Sequence, residues 1–276
     1  MSPRMTFQPG CRFIVAPHFH LLADWPGRLL VGAGVQEVDG CFFPHPSWRP
    51  PTTDELAVLL GAADGAVSPE ELEASICLFQ LPAHLGSQWW QLLEQSAERL
   101  GDGQLLGFEA FVGQVVEFLA FKDLPVPAGA RCAVVVNQPG PMPLNWGPES
   151  RQPAGLGCHL AAGAPWPAEE LRWPRLWGAI NLGTEETSVV LINLLCRQLE
   201  AELRRRLPDQ YVPSAVDELV KQFLQSCSDY PTVQMILRPG EGLRLPADSL
   251  ILNGYAADKQ GPDVLMLISR DRTCST

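Results

Sequence analysis

The chain has 276 residues and carries 31 acidic against 20 basic side chains, which gives a formal net charge of −11. Nucleic-acid binding depends on clustered Lys and Arg, so this charge argues against a nucleic-acid partner. No apolar stretch approaches the roughly 20 residues that span a bilayer, and the N-terminus lacks the basic-then-apolar layout of a signal peptide. We therefore expect a cytoplasmic protein with no membrane partner.

The eight cysteines are scattered singly along the chain, without a CxxC pair. In a protein of this length, such spacing favours reduced, mostly buried thiols over a disulfide framework or a zinc site. Their positions are 11, 41, 77, 132, 158, 196, 227 and 274.

The N-terminal stretch combines short apolar runs with a Pro-rich loop at residues 44–51, which cannot continue a helix or a central strand. Before this loop, His18 and His20 alternate, so on a strand both rings would lie on the same side. Two His at this spacing can chelate zinc or iron, whereas packing at the surface or between domains is the more usual role. A metal site at this position is an open alternative.

Helices are expected next. Thr52 and Glu55 have the spacing of a capping box, and Ser68 followed by Pro69 has the pattern of an N-cap and a first helical position. Two further helices are predicted by apolar residues at helical spacing, over residues 88–100 and 106–121.

The pattern changes to strands after a connector at residues 123–129. Helical periodicity returns only at residues 195–207 and 214–227, between the last strands. We expect the third run of the final strand-rich segment to stop at Asn253, where it would deliver a side chain to a ligand. The predicted strands are residues 132–137, 177–182 and 188–194, followed by four runs within 233–269.

Strands before and after a helical insertion, without a βαβ rhythm, favour an antiparallel sandwich or barrel with helices outside. The predicted fold is α+β: a double-stranded β-helix (jelly-roll, cupin-like) barrel with a helical N-terminal region and a helical insertion. Residues 1–122 would form the helix-rich region and residues 123–276 the barrel core.

The C-terminal half resembles the iron(II)/2-oxoglutarate-dependent oxygenases, whose core is a double-stranded β-helix. The sequence GLGCHLA at residues 155–161 stands where that family has its His-x-Asp/Glu motif. The sequence AINLG at residues 179–183 resembles the strand and turn that follow. Residues 237–242 together with 252–254 resemble the final hairpin, whose last strand usually ends in the distal His.

The resemblance implies three metal-ligand positions. His159 would be the first ligand. Ala161 stands at the carboxylate position and has no atom that can bind a metal. Asn253 stands at the position of the distal His, where its amide oxygen is a poor substitute for imidazole.

The resemblance also implies a basic residue on the last strand that binds 2-oxoglutarate. Arg270 is the candidate, although it lies far beyond Asn253 in the sequence, and Lys259 falls on the preceding loop. Trp177, at the start of a predicted strand, would line the ligand pocket together with Asn253 and Ala161.

These residue types favour a noncatalytic or repurposed oxygenase-like protein that binds a small molecule, a peptide or a protein partner in the barrel mouth. The alternative is an active hydroxylase-type Fe(II)/2-oxoglutarate-dependent oxygenase whose variant metal site combines His159 with His18, His20 or an acidic residue. Fe(II) and 2-oxoglutarate are expected cofactors only in that case. A third reading is an interaction protein whose N-terminal half grips a partner, because residues 50–72 show a likeness to winged-helix peptide-recognition domains.

Overall fold

The computed structural model describes residues 6–16, 19, 24–39, 41–61, 68–97, 107–137, 176–209, 211–246, 250–255, 259–261 and 263–270. The α-helices among these residues are α1 (Thr53–Leu59), α2 (Pro69–Glu73), α3 (Ala83–Ala97), α4 (Phe108–Phe121), α5 (Cys196–Arg206) and α6 (Val216–Ser226). A 3₁₀ turn spans Trp25–Arg28.

The strands of the described part are numbered in chain order. They are β1 (Phe13–Val15), β2 (Leu29–Gly32), β3 (Val35–Val38), β4 (Cys41–Pro44), β5 (Trp48–Arg49), β6 (Ile76–Gln80), β7 (Ala130–Asn137), β8 (Leu176–Asn181), β9 (Thr187–Leu195), β10 (Thr232–Leu237), β11 (Glu241–Arg244), β12 (Leu250–Tyr255) and β13 (Asp263–Arg270).

These strands form two large sheets and a hairpin. Sheet A has the order β1-β6-β11-β8-β13-β7, sheet B has the order β12-β9-β10-β2-β5, and β3 pairs with β4. Every pairing among these strands is antiparallel except that of β1 with β6, which is parallel. Mixed helices and mainly antiparallel sheets confirm the α+β class. The described strands show no closed barrel, so the jelly-roll barrel stays a prediction.

One face of sheet A packs against α3 and α4. The ring of Phe79 on β6 lies 6.2 Å from that of Phe19, which in turn lies 6.1 Å from Phe118 of α4. From α3, the buried indole of Trp89 donates a hydrogen bond to the carbonyl of Leu182, at 3.0 Å. Trp89 therefore serves core packing.

The opposite face of sheet A looks towards sheet B. Phe13 of β1 contacts Trp25, in the turn that leads into β2, with ring centroids 5.9 Å apart. Asn181 of β8 donates its side-chain N–H to the carbonyl of Leu237, the last residue of β10 in sheet B, at 3.0 Å. This inner face of sheet A therefore includes Asn181 and, by strand alternation, the buried Trp177.

The predicted helix starts are confirmed by their caps. The Thr52 hydroxyl accepts from the Glu55 amide, while the Glu55 carboxylate accepts from the Thr52 amide. The Ser68 hydroxyl accepts from the amide of Glu71, with Pro69 at the first helical position. Local hydrogen bonds of this kind depend on neighbouring residues alone, so the sequence suffices to predict them.

One local expectation is wrong. The strand expected to stop at Asn253 continues to Tyr255, since Asn253, Gly254 and Tyr255 all pair with β9. Pairing with this distant strand overrides the local turn signal. The turn after β10 carries the chain from sheet B to β11 in sheet A.

The division at residue 122 stays a prediction. Both sheets contain strands from either side of it: β1 and β6 extend sheet A, while β2 and β5 extend sheet B. Their buried apolar side chains belong to the same hydrophobic cluster as those of the C-terminal strands.

Gly242 of β11 tests the packing between the centre of sheet A and its neighbours. A Cβ at this position would lie 2.5 Å from the Phe79 ring and 2.9 Å from the Ala179 carbonyl. We expect Gly242→Ala to lower the free energy of unfolding by about 1–3 kcal/mol, as overpacking usually does. The matched control is Gly113→Ala in α4, where nothing lies within 4 Å of the new atom; it should raise that free energy by about 0.5–1 kcal/mol. Urea unfolding of both variants measures the difference, and equal effects would contradict this packing.

Candidate functional site

The structure describes only part of the predicted ligand pocket. His159 and Ala161 lie outside the described residues, as do His18 and His20. Asn253 lies within β12, opposite Val190 of β9.

The other predicted site residues occupy strand ends. Trp177 is the second residue of β8; its side chain is buried and its carbonyl accepts from the amide of Leu245, at 2.8 Å. Arg270 is the last residue of β13, opposite Ala130 of β7. The roles of these residues in a pocket stay predictions.

At the end of β8 opposite to Trp177, the turn after β8 and the turn after β10 meet around Asn181. The Asn181 side chain is fully buried. Its amide donates to the carbonyls of Glu185 and Leu237, at 2.9 and 3.0 Å, and its oxygen accepts from the Gly183 amide at 2.8 Å. Its backbone carbonyl accepts from Gly240, also at 2.8 Å. Asn181 therefore fixes the turn after β8 to the turn after β10.

A buried ion pair lies on one side of this junction. The Arg28 guanidinium contacts the carboxylate of Glu241, and their side chains are 10% and 5% exposed. The same carboxylate accepts from the backbone amide of Arg238, at 2.8 Å. Arg28 also lies 3.5 Å from the Asp24 carboxylate. The pair joins the entry to β2, in sheet B, with the start of β11, in sheet A.

A second buried ion pair lies on the other side. Lys259 contacts Oδ1 of Asp263, with side chains 9% and 0% exposed. Asp263 is the first residue of β13 and lies on the inner face of sheet A, because it alternates with Leu265, which pairs with Asn181. Its second oxygen, Oδ2, is buried and has no hydrogen-bond partner in the described part of the chain. Buried carboxylate oxygens are normally satisfied, so Asp263 is an exception that needs an explanation.

Further unpartnered polar atoms accompany Asp263. The hydroxyl of Thr187, the first residue of β9, is buried without a hydrogen-bond partner, and so is Nε of Arg28. The backbone connects this region: the amide of Leu182 donates to the carbonyl of Val264, at 2.9 Å. We call the Asn181, Thr187, Asp263 and Lys259 side chains, with the Arg28–Glu241 pair, the polar end of the sheets.

The polar end is not predictable from local sequence patterns. Asp263 follows Gly261 and Pro262, and in such a context an Asp reads as an ordinary turn residue. The only local signal was the spacing of four between Lys259 and Asp263, which has meaning on a helix but not on a loop. Burial of this pair depends on the pairing of β13 with β7 and β8, which cannot be read from neighbouring residues.

The buried thiols of Cys11 and Cys77 are poor nucleophiles. Burial raises the pKa of Cys11 from 9.0 to about 12 and also raises that of Cys77. The Cys77 sulfur accepts from the Arg244 guanidinium at 3.0 Å, which opposes but does not overcome the effect of burial. Among the described cysteines, Cys11, Cys77, Cys196 and Cys227 are buried, as expected.

Metal chemistry has no visible centre in the described part of the chain, where no group of three or more His, Cys, Asp or Glu side chains could hold an ion. His45 and His84 are exposed. No helix among the described residues is long and apolar enough to cross a bilayer.

No protein-family model, curated protein or solved structure matches this chain. Function is therefore argued from the arrangement of its own residues.

The buried Lys259–Asp263 pair makes a thermodynamic prediction. Asp263→Ala alone leaves a buried ammonium without its counter-charge, and should lower the free energy of unfolding by about 3–5 kcal/mol. The double variant Lys259→Met, Asp263→Leu removes both charges and should lie close to the wild type, because apolar residues of similar volume often replace such pairs without loss. Chemical unfolding of both variants measures the effects.

The exposed pair Arg204–Glu200, with side chains 62% and 44% exposed, provides the control. Glu200→Ala should change the free energy of unfolding by less than about 1 kcal/mol. If the double variant were as unstable as Asp263→Ala, the unpaired ammonium of Lys259 would not be the cause of the lost free energy of unfolding.

Cys11 predicts a pH dependence. Its native pKa of about 12 lies above the ordinary 9.0, so the unfolded chain releases this proton first as the pH rises. The contribution of Cys11 to the free energy of unfolding is complete below pH 9 and is lost between pH 9 and 12. The free energy of unfolding falls there by at most about 1.4 kcal/mol per pH unit because of this group.

Cys11→Ala should remove the Cys11 contribution, so the free energy of unfolding of this variant should fall less steeply with pH than that of the wild type. Ile14→Val, a nearby core substitution that keeps the thiol, should be less stable but retain the slope. Urea titrations across this pH range measure both variants, and identical slopes in Cys11→Ala and the wild type would refute the assignment.

Proposed function

We propose that this protein has a double-stranded β-helix core, of the type found in iron(II)/2-oxoglutarate oxygenases, that binds a small molecule, a peptide or a protein partner without oxygenase chemistry. The order of its strands carries the proposal.

Three antiparallel pairs are nested in the sequence. The pair β9–β10 lies inside β8–β11 in chain order, and that pair lies inside β7–β13. A double-stranded β-helix is an antiparallel ribbon of about eight strands, folded so that successive nested pairs alternate between two sheets. From the innermost pair outward, β9–β10 lies in sheet B and β8–β11 lies in sheet A. The outermost pair, β7–β13, lies in sheet A again, so one intermediate step in sheet B is expected. The alternation requires β12, which falls between β11 and β13, to lie in sheet B, and it does.

Asn253 lies on β12. By the resemblance, its position is that of the distal His. An amide at this position, together with Ala161 in place of the carboxylate, leaves His159 as the one ligand of the usual type. Two His and one carboxylate are what such an iron site needs, so binding without iron-dependent oxidation fits these residues best.

The proposed pocket combines Trp177 and Asn253 with Ala161. Trp177 lies on the inner face of sheet A, where its ring offers an apolar wall. Asn253 would supply the polar group that orients the ligand.

The first test is a metal and co-substrate titration of the wild type. We expect no stoichiometric iron by mass spectrometry after anaerobic purification, and no change in melting temperature with Fe(II) and 2-oxoglutarate. A ligand at 100 times its Kd stabilises by about 2.7 kcal/mol, so binding would be readily visible. A clear joint shift would instead support an active oxygenase with a variant metal site.

A gain-of-binding experiment tests the assigned positions directly. Ala161→Asp combined with Asn253→His supplies the two missing ligand types and should confer Fe(II)-dependent stabilisation. Adding His159→Ala should abolish it, whereas adding His84→Ala, at an exposed histidine, should not. If the double variant binds no iron, the assignment of these positions is wrong.

A further inference from the structure

Asp263 presents one unused oxygen at the polar end of the sheets. The residue is fully buried, Oδ1 is occupied by Lys259, and Oδ2 has no hydrogen-bond partner among the residues that the structure describes. A buried oxygen of this kind forfeits the hydrogen bonds that water would give it. A bound donor would remove that penalty.

Lys259 offers the complementary group. An ammonium has three N–H donors, and Oδ1 of Asp263 takes one of them. Its side chain is 9% exposed although the backbone lies on the loop between β12 and β13. The pair thus places the unused oxygen of Asp263 beside an ammonium that can form more than one hydrogen bond.

The surroundings limit the charge of a ligand. The Lys259–Asp263 pair has no net charge, and both N–H donors of the neighbouring Asn181 amide are used by its own hydrogen bonds. The unpartnered hydroxyl of Thr187 adds a neutral group that can donate or accept. An ion brought into this buried region would remain uncompensated, at a cost of several kcal/mol. A ligand without net charge avoids that cost.

We propose that the polar end is a binding site for a small ligand without net charge that carries an N–H donor beside an oxygen acceptor, as an amino-acid zwitterion or a primary carboxamide does. The ligand N–H donates to Oδ2 of Asp263, and its oxygen accepts from Lys259. The site goes beyond the proposed function, because it lies at the end of β8 opposite to Trp177 and involves neither His159 nor Asn253.

The experiment titrates the full-length wild type with the common neutral amino acids and with acetamide, by calorimetry and thermal shift. Methylammonium chloride and sodium acetate serve as half-ligands, each carrying only one of the two complementary groups. We expect saturable binding of at least one amino acid or of acetamide and none of either half-ligand. Binding of amino acids alone would identify the zwitterion as the source, and binding of acetamide alone the carboxamide.

The variant Lys259→Met, Asp263→Leu provides the decisive comparison, because it removes both recognition groups together and leaves no unpaired buried charge. Its affinity should fall roughly tenfold or more, the effect expected when charged hydrogen bonds are lost. Circular dichroism checks that it remains folded, and Thr187→Val tests the site independently if it does not. Binding of none of these probes to the wild type, or equal binding to the variants, would overturn the proposal.

Ligand binding at the polar end should not depend on the pocket proposed around Asn253. Asn253→Ala should leave amino-acid or acetamide binding unchanged, while 2-oxoglutarate, a dianion, should not compete. Loss of binding in Asn253→Ala would place the ligand in the proposed mouth pocket and overturn the assignment to the polar end.

Discussion

The hydrogen bond from Asn181 to the carbonyl of Leu237 is the contact on which the relation of the two sheets depends. Strand β8 of sheet A and strand β10 of sheet B both end at this point, and one amide side chain joins them. The same side chain also closes its own turn through Gly183 and Glu185. Since an amide has one oxygen and two N–H groups, Asn181 uses every kind of group it has. Neither Asp nor Leu could replace it, because one lacks the donors and the other lacks both.

The charged groups around Asn181 follow from this closure. Turns that meet at the end of two packed sheets bring their polar residues into a buried region, so the charges have to pair. Arg28 with Glu241 and Lys259 with Asp263 meet that requirement on either side of Asn181. The first carboxylate gains an additional backbone donor from Arg238, whereas the second retains an unused oxygen. This asymmetry separates a structural pair from one that can receive a ligand.

The sequence predicts what depends on neighbouring residues. The capping box of Thr52 and Glu55 and the N-cap of Ser68 are short-range hydrogen bonds, and the apolar runs of β7, β8 and β9 are visible as strands. What it does not predict depends on distant partners. The turn between β10 and β11 has the residues of a hairpin, but each strand has better partners in a different sheet.

The candidate sites divide in the same way. The resemblance could nominate His159, Ala161 and Asn253 from local motifs, because a ligand position in a known core is tied to a strand. The polar end could not be nominated, since Asp263 and Thr187 become neighbours of Asn181 only through strand pairing and the turn after β8. An acid after Gly-Pro carries no local sign that it will be fully buried.

The place of the N-terminal strands constrains how the chain folds. In sheet A, β6 lies between β1 and β11, and in sheet B, β2 lies between β5 and β10. Both β10 and β11 are distant from these strands in sequence. Contacts so distant in sequence form slowly, and an unpaired strand edge invites aggregation in the meantime. During refolding, the edges of β2 and β6 that receive β10 and β11 are therefore the ones exposed to aggregation for longest.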